Sequence, residues 1–269
     1  MKWLRPVDEL LRGEATRVSK LTNGRIELPI RPIFIATTAL MAFYGACMST
    51  SALLRLGESP DGWMQLVSSA VKLPLLFLLT LLVTLPSLYV FNALVGSRLS
   101  MQGVLQLMLA SLAVMGAVLA SLGPIIVFFA LSTTSHPFMV LLNVVASAVA
   151  GVLGLTFLFR TLNRLVFVRE SGVASTPPAL DAGSPPPPPP LIAADRPAAL
   201  DKIAEAESQH ARSVFKTWVV VFSLVGAQMS WVLRPFIGSP TLEFAWFRER
   251  ESNFFIAVLE MLRTVLGGG

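Results

Sequence analysis

Along the chain, runs of roughly 18 or more apolar residues with few charges alternate with short polar stretches, and a run of that length is what a helix needs to cross about 30 Å of hydrocarbon. The pattern predicts spans at about 33–54, 73–95, 103–131, 137–159 and 214–233. Pro32 opens the first of them. Arg55 to Lys72 reads as a polar connection, with Gly57, Pro60 and Gly62 as turn formers. Only Gly96, Ser97, Arg98, Leu99 and Ser100 separate the second span from the third, which predicts that these two helices are antiparallel neighbours. Spans two to four then read as one hairpin series.

Outside the spans the pattern changes character. In the opening arm, Leu4, Leu10, Leu11 and Val18 alternate with charges at roughly helical spacing, so a short surface helix touching lipid is expected. From Ser171 to about Ala199 the chain turns to Pro, Ala, Ser and Asp, with an unbroken proline run from Pro185 to Pro190. Proline fixes φ and lacks a donor, so this stretch reads as an extended spacer. A solvated helix with Asp201, Lys202, Glu205, Glu207 and Arg212 leads into the fifth span. At the C-terminus, Phe254, Val258, Met261, Leu262 and Val265 share one face that Glu260 and Arg263 interrupt. That segment is too short and too charged for a comfortable crossing, and with Phe244, Trp246 and Phe247 before it, it reads as an interfacial helix; as a sixth crossing it would return the C-terminus to the cytoplasm.

The expected fold is therefore all-α, a polytopic transmembrane bundle of about five spans with a C-terminal amphipathic interfacial helix. Four sections follow: a cytoplasmic arm at 1–32, a four-span bundle at 33–168, a cytoplasmic proline-rich linker and short helix at 169–213, and a fifth span, outer loop and interfacial helix at 214–269. Composition agrees, because 54% of the residues are hydrophobic and 14% charged, where a soluble domain carries about 25% charged residues.

Charge supplies orientation. With the N-terminus inside, fifteen basic residues fall on the cytoplasmic side, and the outer side receives six: Arg55, Lys72, Arg234, Arg248, Arg250 and Arg263. The positive-inside rule favours that arrangement. The net charge of +5 is thus a membrane-topology signal beside anionic lipid, and no nucleic-acid partner is expected. The first apolar run begins too late for a cleavable secretory signal.

Candidate chemistry is sparse. Cys47 is the one cysteine and His136 and His210 are the two histidines, placed on opposite sides of the membrane by this topology, so no disulfide, His-based metal site or cofactor is expected. There is no phosphate-binding glycine loop, nucleophile elbow or pair of intramembrane aspartates. No ionisable residue falls near the middle of a predicted span, which argues against a proton relay. The amides Asn92, Asn143 and Gln228 are the polar groups within the spans. Ala113, Ala117 and Ser121, with Gly116 and Ala120 beside them, and Ala146, Ala150 and Gly154 recur at the spacing that lets helix backbones approach closely, so spans three and four are expected at the centre of the bundle. Pro86 and Pro124 interrupt spans two and three, a device that lines substrate paths in transporters and that also occurs without that role. The remaining candidate surface is a charged outer cap formed by Gln228, Arg234, Glu243, Arg248, Glu249, Arg250, Glu251 and Asn253.

Lys-Leu-Pro-Leu-Leu-Phe at 72–77, Leu-Pro-Ser-Leu-Tyr-Val-Phe-Asn-Ala-Leu-Val-Gly at 85–96 and Gln-Met-Ser-Trp-Val-Leu-Arg-Pro-Phe at 228–236 resemble uncharacterised bacterial polytopic membrane proteins. The five-span layout over about 33–235 also looks like the Yip1-type family. An Asp-Leu-Tyr-Gly-Pro type motif is absent from the arm and the proline-rich insertion departs from that family's compact pattern, so no functional residue carries across. The resemblance implies a bacterial inner-membrane protein.

On these grounds the expectation is a non-enzymatic scaffold or accessory subunit that contacts the bilayer and a protein partner or a second copy of itself. Two rivals stand beside it: a small transporter or channel component with a path along spans two and three past Asn92 and Asn143, and an intramembrane enzyme using the Arg/Glu cap. The topology makes a direct prediction. Single cysteines introduced within 55–72 and within 171–199 should react with membrane-impermeant thiol reagents from opposite sides, and labelling of both from one side would refute the orientation.

Overall fold

The computed structural model describes residues 5–13, 29–56, 60–94, 101–133, 135–174, 217, 219–233, 236–237, 244–247 and 253–267. Among these residues the protein is all-helical, with seven helices and no strand. They are α1 (Arg5–Leu11), α2 (Ile30–Leu56), α3 (Pro60–Leu94), α4 (Met101–Ser132), α5 (His136–Ala174), α6 (Val219–Val232) and α7 (Phe254–Leu266). Four of them, α2 to α5, are long and apolar enough to cross a membrane.

The side chains are arranged for an apolar solvent. Leu82, Val83, Phe128, Leu131, Val145 and Val152 are exposed, whereas Thr37, Ser49, Ser69, Thr80, Thr84 and Asn143 are buried. A water-soluble bundle would hide the first group and display the second. In lipid the preference reverses, because an apolar side chain loses nothing by facing acyl chains and a hydroxyl or amide must find its partner inside the protein.

Two boundaries differ from the sequence expectation. The second long helix starts at Pro60, not at Leu73, so the segment read as a polar connection is mostly helix, and the candidate crossing is Asp61–Ser87. Pro60 stands at the first helical position, where its missing N–H costs nothing and its fixed φ suits the helix, with acidic Asp61 in the first turn. A residue that looked like a turn former is a helix opener. At the other end, α5 continues through Arg160 and Arg164 to Ala174, although its apolar crossing stops at Thr161. The proline run lies outside the described residues, as does the solvated helix expected at 200–213. The remaining long helices match their predicted spans to within three residues at each end.

Packing also differs from a simple hairpin series. α2 contacts both α3 and α4 along its length, α4 contacts α5, and α3 meets α4 only marginally. Spans two and three are therefore not packed neighbours, because α2 lies between them. The centre of the bundle is α2 with α4, and α5 stands to one side of α4.

Small residues set these contacts. A Cβ on Gly45 would overlap the carbonyl oxygen of Ser69 and stand 2.9 Å from its carbon, so α2 touches the α3 backbone there. Gly116 lies against Met41, and Gly123 against Cys47 and Phe43, which makes α2 and α4 parallel. Gly154 lies against Met115 and the Ser111 carbonyl, seating α5 antiparallel on α4. Cys47 is buried at the α2–α4 contact as a packing group.

The short elements complete the assembly. α1 packs on α2 and α4 with Val7 and Leu10 buried, so its apolar side meets protein where lipid was expected. Gly226 of α6 faces Thr80 of α3, and Phe236 beyond α6 reaches Gln65 and Ser69, so α6 lies antiparallel along α3. α7 packs on α5. Its 13 residues span about 20 Å, short of a crossing.

Gly45 provides the test of this packing. Gly45→Ala should lower stability in detergent by about 1–3 kcal/mol, because the added methyl meets α3 backbone that cannot swing away. Gly151→Ala, where a Cβ would meet nothing within 4 Å, should be neutral or stabilising by up to about 1 kcal/mol. Thermal melts of the two variants compare them directly.

Candidate functional site

Helix α3 carries Gln65, Ser68, Ser69 and Lys72 at the i, i+3, i+4, i+7 spacing that places side chains on one face of a helix. All four are buried, and Lys72 is only 2% exposed. Lys72 lies about 16 Å along the helix from Asp61, within the candidate crossing Asp61–Ser87. The expectation that placed Lys72 in a loop before the second span is thereby corrected, because α3 starts at Pro60 and not at Leu73.

The partners of this polar face are Phe236 and Trp246, described residues between α6 and α7 that lie outside any helix. Gln65 Nε2 donates to the Phe236 carbonyl at 3.1 Å and to Ser69 Oγ at 3.2 Å. The Ser69 hydroxyl reaches the Gln65 carbonyl at 2.9 Å and also the Phe236 carbonyl, and with one hydrogen it serves one of them at a time. Lys72 Nζ donates to the Trp246 carbonyl. It also lies 5.8 Å from the centroid of the Trp246 ring and 5.1 Å from that of Phe247.

The chemistry explains why donors are needed on this face. Non-helical backbone packed on a membrane helix has carbonyls that no helix satisfies, each costing several kcal/mol if buried bare. Gln65, Ser69 and Lys72 supply donors for two of them. The ammonium in turn is stabilised by a carbonyl and by aromatic rings, a combination worth about 2 kcal/mol or more when desolvated. Together they form a strap, with Phe236 and Trp246 held against α3.

A second polar contact ties α2 to α5. The Tyr44 hydroxyl donates to Asn143 Oδ1 at 3.0 Å, and Asn143 Nδ2 donates to the Met139 carbonyl at 2.8 Å. Thr80, Thr84 and Ser111 return their hydroxyl hydrogens to carbonyls three or four residues earlier in their own helices. The hydroxyls of Thr37, Thr38 and Ser68 are buried without a hydrogen-bond partner.

The residues singled out from the sequence separate into three groups. Asn143 is buried in the bundle and bonded to Tyr44. Gln228 is exposed on α6, and Asn253 caps α7, its side chain accepting from the Ile256 N–H at 3.0 Å. Arg234, Glu243, Arg248, Glu249, Arg250 and Glu251 lie outside the described residues, as does the side chain of Asn92. The sequence reading missed Gln65, Ser69, Lys72 and Tyr44. The signal for the first three was present in their helical spacing, and Pro60 followed by Asp61 marks the helix start that would have revealed it.

α3 remains one assigned helix through Pro74 and Pro86, and α4 through Pro124. Among the described residues, no group of three or more His, Cys, Asp or Glu side chains could hold a metal ion. No protein-family model, curated protein or solved structure matches the chain.

Lys72→Met keeps the bulk of the side chain and removes the donor, leaving the Trp246 carbonyl bare at a cost of about 1–3 kcal/mol. A cysteine replacing Ala245, in a chain with Cys47→Ala, should then label about tenfold faster or more than with Lys72 in place. An unchanged labelling rate would show that Lys72 does not hold the strap. At the second contact, Tyr44→Phe should cost about 1 kcal/mol in a thermal melt.

Proposed function

We propose that the chain is a non-enzymatic integral membrane scaffold or accessory subunit that works by presenting a rigid bundle to a protein partner. The observation that carries this reading is how the interior polar groups are used. Lys72, Gln65, Ser69, Tyr44 and Asn143 join one element of the protein to another. A carrier or channel would set such groups along a path for solute, and a catalyst would bring a nucleophile, an acid and a base together.

Asn143, a wall residue in the rival transport reading, bonds to Tyr44 of the first long helix. That use of the amide favours assembly over a solute path. In the proposed topology the stretch at about 214–233, of which α6 is the described part, is a fifth crossing, α7 lies at the outer interface, and the N-terminus is cytoplasmic. The antiparallel seat of α6 along α3 and the short length of α7 support the first two. The balance of basic residues supports the third, and the sequence resemblance supports the bacterial inner membrane.

Purification of the full chain in mild detergent, followed by mass spectrometry of what elutes with it, tests the scaffold. A stable partner in fixed stoichiometry is the expected result. A lone oligomer that supports solute flux in liposomes would overturn it.

A further inference from the structure

Helix α6 leaves one side uncovered. Val219 and Phe222 pack against the bundle and Gly226 lies on Thr80 of α3, whereas Val220, Val221, Leu224 and Gln228 are exposed. The two valines and the leucine are what a lipid-facing side requires. Gln228 is not, because its carboxamide carries two N–H donors and an acceptor oxygen.

Its depth makes the exception matter. The antiparallel seat that puts Gly226 beside Thr80 brings Val219 near the level of Ser87, where the candidate crossing of α3 ends. Gln228 lies about 14 Å further along α6, nearly half of a hydrocarbon layer about 30 Å thick. Neighbouring hydroxyls are satisfied within the helix: Ser223 donates to the Val219 carbonyl at 2.9 Å and Ser230 to the Ala227 carbonyl at 2.6 Å. Among the described residues Gln228 makes no such bond, and an amide left bare in hydrocarbon is costly.

An amide so placed calls for a second protein surface, and its own chemistry says which. A carboxamide is its own complement, able to donate an N–H to the oxygen of another and to accept one in return. Two copies of the chain share one orientation in the membrane. A twofold axis along the membrane normal therefore sets α6 parallel to its counterpart, with each residue opposite the same residue at the same depth. The spacing agrees, because Val221, Leu224 and Gln228 follow one another at three and four residues, the seam along which parallel helices pack at a shallow angle.

We propose that this side of α6 pairs with α6 of a second copy, the two Gln228 amides joined by reciprocal hydrogen bonds and Val221 and Leu224 packed beside them. Lipid competes equally for the apolar positions, so the amide supplies the preference for protein, and a single polar residue in such a seam fixes its register. The pairing rests on the reading of the stretch at about 214–233 as a fifth crossing. It does not depend on whether a different protein also binds the bundle.

The full chain, diluted in mild detergent and followed by analytical ultracentrifugation, provides the test. The unmodified chain should dimerise, and Gln228→Leu should weaken the dimer about tenfold. Thermal melting of the dilute chain should be the same for both, because Gln228 is exposed. In membranes, in a chain with Cys47→Ala, Leu224→Cys should cross-link between copies under mild oxidation, and Val219→Cys, which faces the bundle, should not. A chain that stays monomeric, a Gln228→Leu dimer as tight as the unmodified one, or cross-linking through Val219→Cys and not Leu224→Cys overturns the proposal. Gln228→Cys separates the two readings. Reaction with a membrane-impermeant thiol reagent refutes the crossing and the pairing with it, whereas protection in a monomeric chain refutes the pairing alone.

Discussion

The close approach of α2 to α3 at Gly45 is the contact on which the rest of the bundle depends. With no side chain at that position, the backbone of α2 rests on the Ser69 carbonyl. In lipid, where apolar side chains gain little by leaving the solvent, such backbone proximity is a main source of helix association. Because α2 is held there, its other side is free to take α4 through Gly116 and Gly123. The order of helices across the bundle then follows, and α3 and α4 are kept apart although a few residues of chain connect them.

The same contact fixes the rotation of α3. One side of that helix faces α2, and the polar side carrying Gln65, Ser69 and Lys72 is turned to the chain beyond α6. Phe236 and Trp246 bring carbonyls to that side, and its side chains supply their donors. A charged lysine in such a place would be costly alone. Set between a carbonyl and two aromatic rings, with its stem buried along the helix, it becomes a joint between distant parts of the sequence.

Polar groups within the bundle hold elements together: Tyr44 with Asn143, and α3 with the strap. At the surface, Ser132 and Thr264 give their hydrogens to carbonyls of their own helices.

What the sequence determined by itself was membrane residence, the helical class and the extents of two of the four long helices, α2 and α4, because each depends on apolar run length against a fixed bilayer thickness. The short length of α7 was legible for the same reason. The start of α3 was written locally too, in Pro60 and Asp61, but the glycines around them suggested a turn. Only the tertiary structure decided that α2 separates α3 from α4, that Lys72 is an interior residue, and that Tyr44 meets Asn143. Those outcomes depend on which small residue faces which helix, and periodicity marks a face without naming its partner. Gly45 stands among many small residues in the chain, and its role became visible only with Ser69 set against it.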